Sequence, residues 1–139
     1  MRPRILTLAA LLSVALVAGV RSERPPQQKK AAANFVVGTV EKLDKRTSPF
    51  FGDGERTDYT ATVKVDKVER GDQIKPGDTI KVTWFHVTKR PSKLVPAAYG
   101  HGYPVVAKSK IRAWLLEGKD KTFGVIYNSG GIEALKTEK

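Results

Sequence analysis

Residues 59–87, YTATVKVDKVERGDQIKPGDTIKVTWFHV, alternate apolar and polar side chains in two runs around a turn-forming centre. No other stretch constrains the fold as much. In the first run Tyr59, Ala61, Val63 and Val65 share one phase, and Thr60, Thr62, Lys64 and Asp66 share the other. In the second, Ile80, Val82 and Trp84 alternate with Lys81 and Thr83. A period of two sends successive side chains to opposite faces of a strand, so each run reads as a half-buried strand. Gly71-Asp72 and Pro76-Gly77-Asp78 supply the turn chemistry between them. The segment predicts an antiparallel pair at the centre of a small β-domain and carries no catalytic motif.

Further strands flank this pair. Residues 35–43, FVVGTVEKL, form a first strand in which Gly38 points to a bulge. Residues 44–57 read as a long loop marked by Pro49, Gly52 and Gly54. The second strand spans 59–68, with a slip of phase between Val65 and Val68 that a bulge would produce. The third spans 79–87. Residues 88–104 hold Pro91, Pro96 and Pro104 with Gly100 and Gly102, which excludes a long helix and leaves room for one turn near 92–95. The fourth strand is 105–117, with Ile111, Ala113 and Leu115 on one face. A hairpin connection at 118–121 leads to a fifth at 122–127. Residues 132–136 are too short to assign. The expected fold is all-β: a small five-stranded OB-like barrel, mostly antiparallel.

The N-terminus reads as an export signal over residues 1–22. Arg2 and Arg4 precede an almost wholly apolar run to Val20, with small residues near its end. The run is somewhat short for a spanning helix, so cleavage is favoured over an uncleaved anchor. Residues 23–33 then read as a flexible polar spacer and 34–135 as the domain. The expected location is periplasmic or secreted, with N-terminal anchoring as the alternative. The chain has no Cys. That excludes disulfides, thiol catalysis, thiolate metal sites and a lipidated precursor, and leaves packing to hold the domain together.

Formal net charge is +11, and the excess survives removal of Arg2, Arg4 and Arg21. Basic surfaces attract polyanions or acidic proteins, and export makes nucleic acid a poor natural partner. The lysines are spread along the chain with no run longer than two, which suits a solvating role that also blocks edge pairing.

The order Val37-Gly38-Thr39-Val40, then Val63-Lys64-Val65-Asp66-Lys67-Val68-Glu69-Arg70-Gly71, then Lys75-Pro76-Gly77-Asp78-Thr79-Ile80-Lys81-Val82 resembles the netrin-like branch of the OB fold, which includes the inhibitory domains of tissue inhibitors of metalloproteinases. The resemblance implies the fold. Its inhibitory mechanism does not transfer, because that uses a disulfide-pinned N-terminal cysteine and this chain has none.

Catalytic chemistry is thin. His86 and His101, the only histidines, could meet across the third strand and the long connection, yet no ligand spacing links them. No metal site and no cofactor are expected. Asp53-Gly54-Glu55 lacks the oxygen alternation of a calcium loop, and no G-x-S-x-G turn occurs. Two loops offer binding residues: Phe50 and Phe51 in one, Tyr99, His101 and Tyr103 in the other. The competing role for these rings is to cap the ends of the core. The expected function is a non-enzymatic binding module of the cell envelope or exterior, with a protein or polyanion as partner. The alternatives are a metal-dependent enzyme using His86 and His101, or a structural envelope component.

Overall fold

The computed structural model describes residues 25–93, 100–101 and 105–136. The expected signal segment, Tyr99 and Tyr103 lie outside these residues. The described chain is all-β, with strands β1 (Asn34–Phe50), β2 (Gly54–Arg70), β3 (Thr79–Lys89), β4 (Lys110–Leu115), β5 (Thr122–Gly124) and β6 (Ile132–Ala134). They form one mixed sheet in the order β5-β3-β2-β1-β4-β6. Every pair is antiparallel except β3 with β5.

Period-two alternation decides the inner face. Val36, Val40, Ala61, Val63, Val65, Ile80, Val82, Ile111, Ala113 and Leu115 meet in one buried cluster with Trp84 and Phe123. Apolar area removed from water by these side chains is the main term holding a disulfide-free domain together. β1 and β2 slip register at Phe35/Val36 and at Val37/Gly38. These are the bulges expected near Gly38 and between Val65 and Val68. Gly38 cannot be replaced without movement, because a Cβ there would lie 2.6 Å from the Lys64 carbonyl oxygen.

Two expectations need correction. The sheet has six strands rather than five, because Ile132, fully buried, carries β6 onto β4. Regular strand pairing does not close this sheet, since β5 pairing ends at Gly124. Just beyond, Val125 bridges Leu115, its N–H donates to the Thr83 carbonyl (2.9 Å), and the Ile126 N–H donates to the Trp114 carbonyl (3.0 Å).

The second correction concerns 44–57, expected to be a loop. β1 and β2 continue through it as a paired ribbon from Lys42↔Thr62 to Phe50↔Gly54, closed by a turn at residues 51–53. Both faces of β1 are polar there, so no alternation marks the strand. Pro49 is tolerated because β4 pairs only with Asn34–Thr39, leaving this part of β1 at a sheet edge.

The spacer expected over 23–33 is tied to the domain from Gln27 onward. The Gln27 N–H donates to the Tyr127 carbonyl (2.6 Å), and its Oε1 accepts from the Tyr127 N–H (2.7 Å). Lys29 reaches Glu133 at 2.8 Å and lies over the Trp114 ring. No helix among the described residues is long and apolar enough to cross a membrane.

Candidate binding groove

The register of β2 against β3 sets Asp58 opposite Phe85, Tyr59 opposite Trp84 and Thr60 opposite Thr83. Tyr59 and Trp84 fall on the inner phase and stack at 5.3 Å. Asp58, Thr60, Thr83 and Phe85 take the outer phase. They form the floor of an open groove of about 420 Å³, which the segments at Gly124–Tyr127, His101 and Gln27 border.

Arg56 crosses this floor. A register slip between Glu55 and Arg56 offsets β2 from β3 here. The guanidinium lies 3.9 Å above the Phe85 ring. Asp58 Oδ1 accepts from its Nε (3.1 Å) and Nη2 (2.8 Å). On the far side Tyr127 stacks on Phe85 with centroids 6.3 Å apart. The result is a cation held over an aromatic platform, with hydroxyl and amide groups alongside. This mixed lining suits recognition of a polar ligand by one face.

His101 builds the wall. It is 3% exposed. Its backbone N–H donates to the Phe85 carbonyl (2.8 Å), its Nδ1 lies 3.0 Å from the same oxygen, and its Nε2 lies 2.8 Å from the Ile126 carbonyl. Gly100, at φ +90°, makes the close approach, since a Cβ there would collide with the Phe85 carbonyl. The backbones of His86 and Gly100 pair, so the two histidine-bearing segments do meet as expected. The side chains are nevertheless unsuited to share a metal. Both ring nitrogens of His101 face carbonyl oxygens, and no group of three or more potential ligands exists among the described residues. His86 Nδ1 is buried without a partner among the described residues.

The other expected site loop separates into two roles. Phe50 is 8% exposed and Phe51 is 60% exposed, with the rings edge to face at 4.7 Å. An extended segment would point the two rings apart, but Phe51 instead occupies the turn with φ +45°. Next to it, the Ser92 N–H donates to Asp53 Oδ1 (2.8 Å), and these hydrogen bonds from Ser92 hold the Asp53 carboxyl below its ordinary range. This tip lies at the end of the ribbon and contributes nothing to the groove lining.

Arg56, Phe85 and Tyr127 escaped the sequence reading. One signal was available: Phe85 shares the phase of Lys81 and Thr83, so a large ring stood on an otherwise polar face. No protein-family model, curated protein or solved structure matches this chain.

Proposed function

We propose that this chain is an exported, non-enzymatic binding module of the cell envelope or exterior, with its ligand seated in the β2–β3 groove. The observation that carries the reading is Arg56, laid on Phe85 and gripped by Asp58. Such a guanidinium is pre-ordered, so little freedom is lost when a partner meets it. The histidines favour binding over metal chemistry, because the His101 ring nitrogens lie 3.0 and 2.8 Å from backbone carbonyl oxygens. The metal-dependent and purely structural alternatives have no comparable feature behind them.

The finer fold reading is an OB-like barrel of the netrin-like kind. Three features support it. β1 lies between β2 and β4, β3 pairs in parallel with β5, and residues 124–126 hydrogen-bond to β3 on one side and β4 on the other. In OB folds the face of strands 2 and 3 is the usual ligand surface, and the groove occupies that face. Removal of residues 1–22 on export, leaving the domain periplasmic or secreted, belongs to the same proposal.

The test is affinity capture from native envelope extract with the mature wild-type chain and two variants, Arg56→Gln and Thr83→Arg. Arg56→Gln removes the cation and Thr83→Arg fills the floor. A partner retained by wild type and lost by both variants at unchanged melting temperature is the expected result. A partner retained by both would remove the groove from consideration.

A further inference from the structure

The lysines look scattered along the sequence, but the strand registers gather them. One row across the sheet reads Lys42–Thr62–Lys81–Thr122, through β1, β2, β3 and β5. The neighbouring row reads Lys110–Thr39–Lys64–Thr79, through β4, β1, β2 and β3. A third reads Arg112–Val37–Lys67, through β4, β1 and β2. All six cations lie on the face opposite the buried cluster, because their strand neighbours Val36, Val40, Val63, Ile80, Ile111 and Ala113 point inward.

Within each row cations alternate with threonine or valine. Like charges therefore never sit directly across from one another, where repulsion would be costliest. Cations in a row stand about 10 Å apart, two strand spacings. Lys64, Lys81, Lys110 and Arg112 have no ion pair among the described residues. Four acids border the rows: Asp66 accepts from Thr39, Glu69 pairs with Lys67, Asp44 lies 3.5 Å from Lys42, and Glu133, directly across from Arg112 on β6, pairs with Lys29.

We infer that this face binds an acidic polysaccharide, and that it does so independently of whatever occupies the groove. The face pairs charge with hydroxyl groups, the complement of a sugar chain bearing sulfates or carboxylates. Among the described residues its rings are covered: Trp114 is buried, stacked on Phe35 and under Lys29, and Phe85 lies under Arg56. Among the described residues, none of the exposed large apolar side chains lies within the rows to enter a bilayer. The exposed large ones, Phe51, Val106 and Leu116, stand at the hairpin tip, ahead of β4 and at the groove.

The experiment titrates the mature chain with dextran sulfate, polygalacturonate and neutral dextran, and with phosphatidylglycerol vesicles and oligo-dT. A face variant, K64Q/K81Q/K110Q/R112Q, is compared with a control, K30Q/K75Q/K89Q/K119Q, that removes the same charge elsewhere. The expected result is salt-sensitive binding to both acidic glycans, weakened about tenfold or more by the face variant and about twofold or less by the control. Arg56→Gln should leave glycan affinity unchanged even if it abolishes groove binding, so the two readings fail separately. Equal weakening by face and control variants would reduce the effect to net charge and overturn the proposal. Tighter binding to vesicles or oligo-dT than to either glycan would also overturn it, in favour of a membrane or nucleic-acid surface. Binding to neutral dextran as strong as to dextran sulfate would do the same.

Discussion

The Arg56 guanidinium rests 3.9 Å above the ring of Phe85, on the neighbouring strand, while Asp58 grips it from its own strand. The pair is half exposed, so its role is to fix a cation in place more than to hold the fold. Replacing Arg56 by Ala should cost about 1 kcal/mol or less in urea unfolding. A cost of several kcal/mol would make Arg56 a structural residue.

At the hairpin tip, Phe50 and Phe51 should behave oppositely. Phe50→Ala should cost about 3 kcal/mol, since it empties a buried ring site. Phe51→Ala should stay within about 0.5 kcal/mol. Phe51→Gly should stabilise by about 1 kcal/mol, because φ +45° strains a side-chain-bearing residue and suits glycine. Thermal melts of the three variants give the ranking directly.

His101 ties the groove wall to β3. Its replacement by Ala should cost about 3 kcal/mol, chiefly from the emptied site, since the Phe85 and Ile126 carbonyls still accept from the His101 and Asn128 N–H groups. Amide exchange should speed up first at Val125 and Ile126. Unchanged exchange there would show that the wall stands without the ring.

Asp78 predicts the acid behaviour. The hydrogen bond from Lys121 Nζ (2.8 Å), and then that from the Lys75 N–H (2.9 Å), hold its carboxyl below the ordinary range. A depressed carboxylate contributes stability that is complete above its unfolded value and lost as pH falls through its folded value. The loss therefore belongs below about pH 4. Asp78→Asn should flatten the stability curve in that window and leave its slope at neutral pH unchanged, as read by denaturant unfolding across pH. Lys121→Gln should shift the Asp78 titration upward by NMR.

The strands that face the core were legible wherever one side was apolar and the other polar. Ala61, Val63 and Val65 on β2, and Ile80, Val82 and Trp84 on β3, are buried as their alternation requires. The ribbon over 44–57 was not legible, because most of its side chains are exposed on both faces and backbone pairing makes it a strand. Ile132–Ala134 is a strand for its partner's sake, too short to show a period of its own. Of the expected site residues, His101 does border the groove, but its ring serves the backbone. Arg56 and Phe85 are far apart in sequence, and only a strand register with a slip in it could have joined them.

Parallel pairing of β3 with β5 sets the order in which the molecule can assemble. Val82 pairs with Phe123, so this contact closes only after the chain has travelled through β4 and turned back. Hairpins such as β1–β2 close locally and early, whereas distant joins wait on a costly loop closure. Folding should therefore be limited by arrival of Thr122–Gly124. A nascent chain that has left the ribosome only as far as β4 would still expose the open edge of β3.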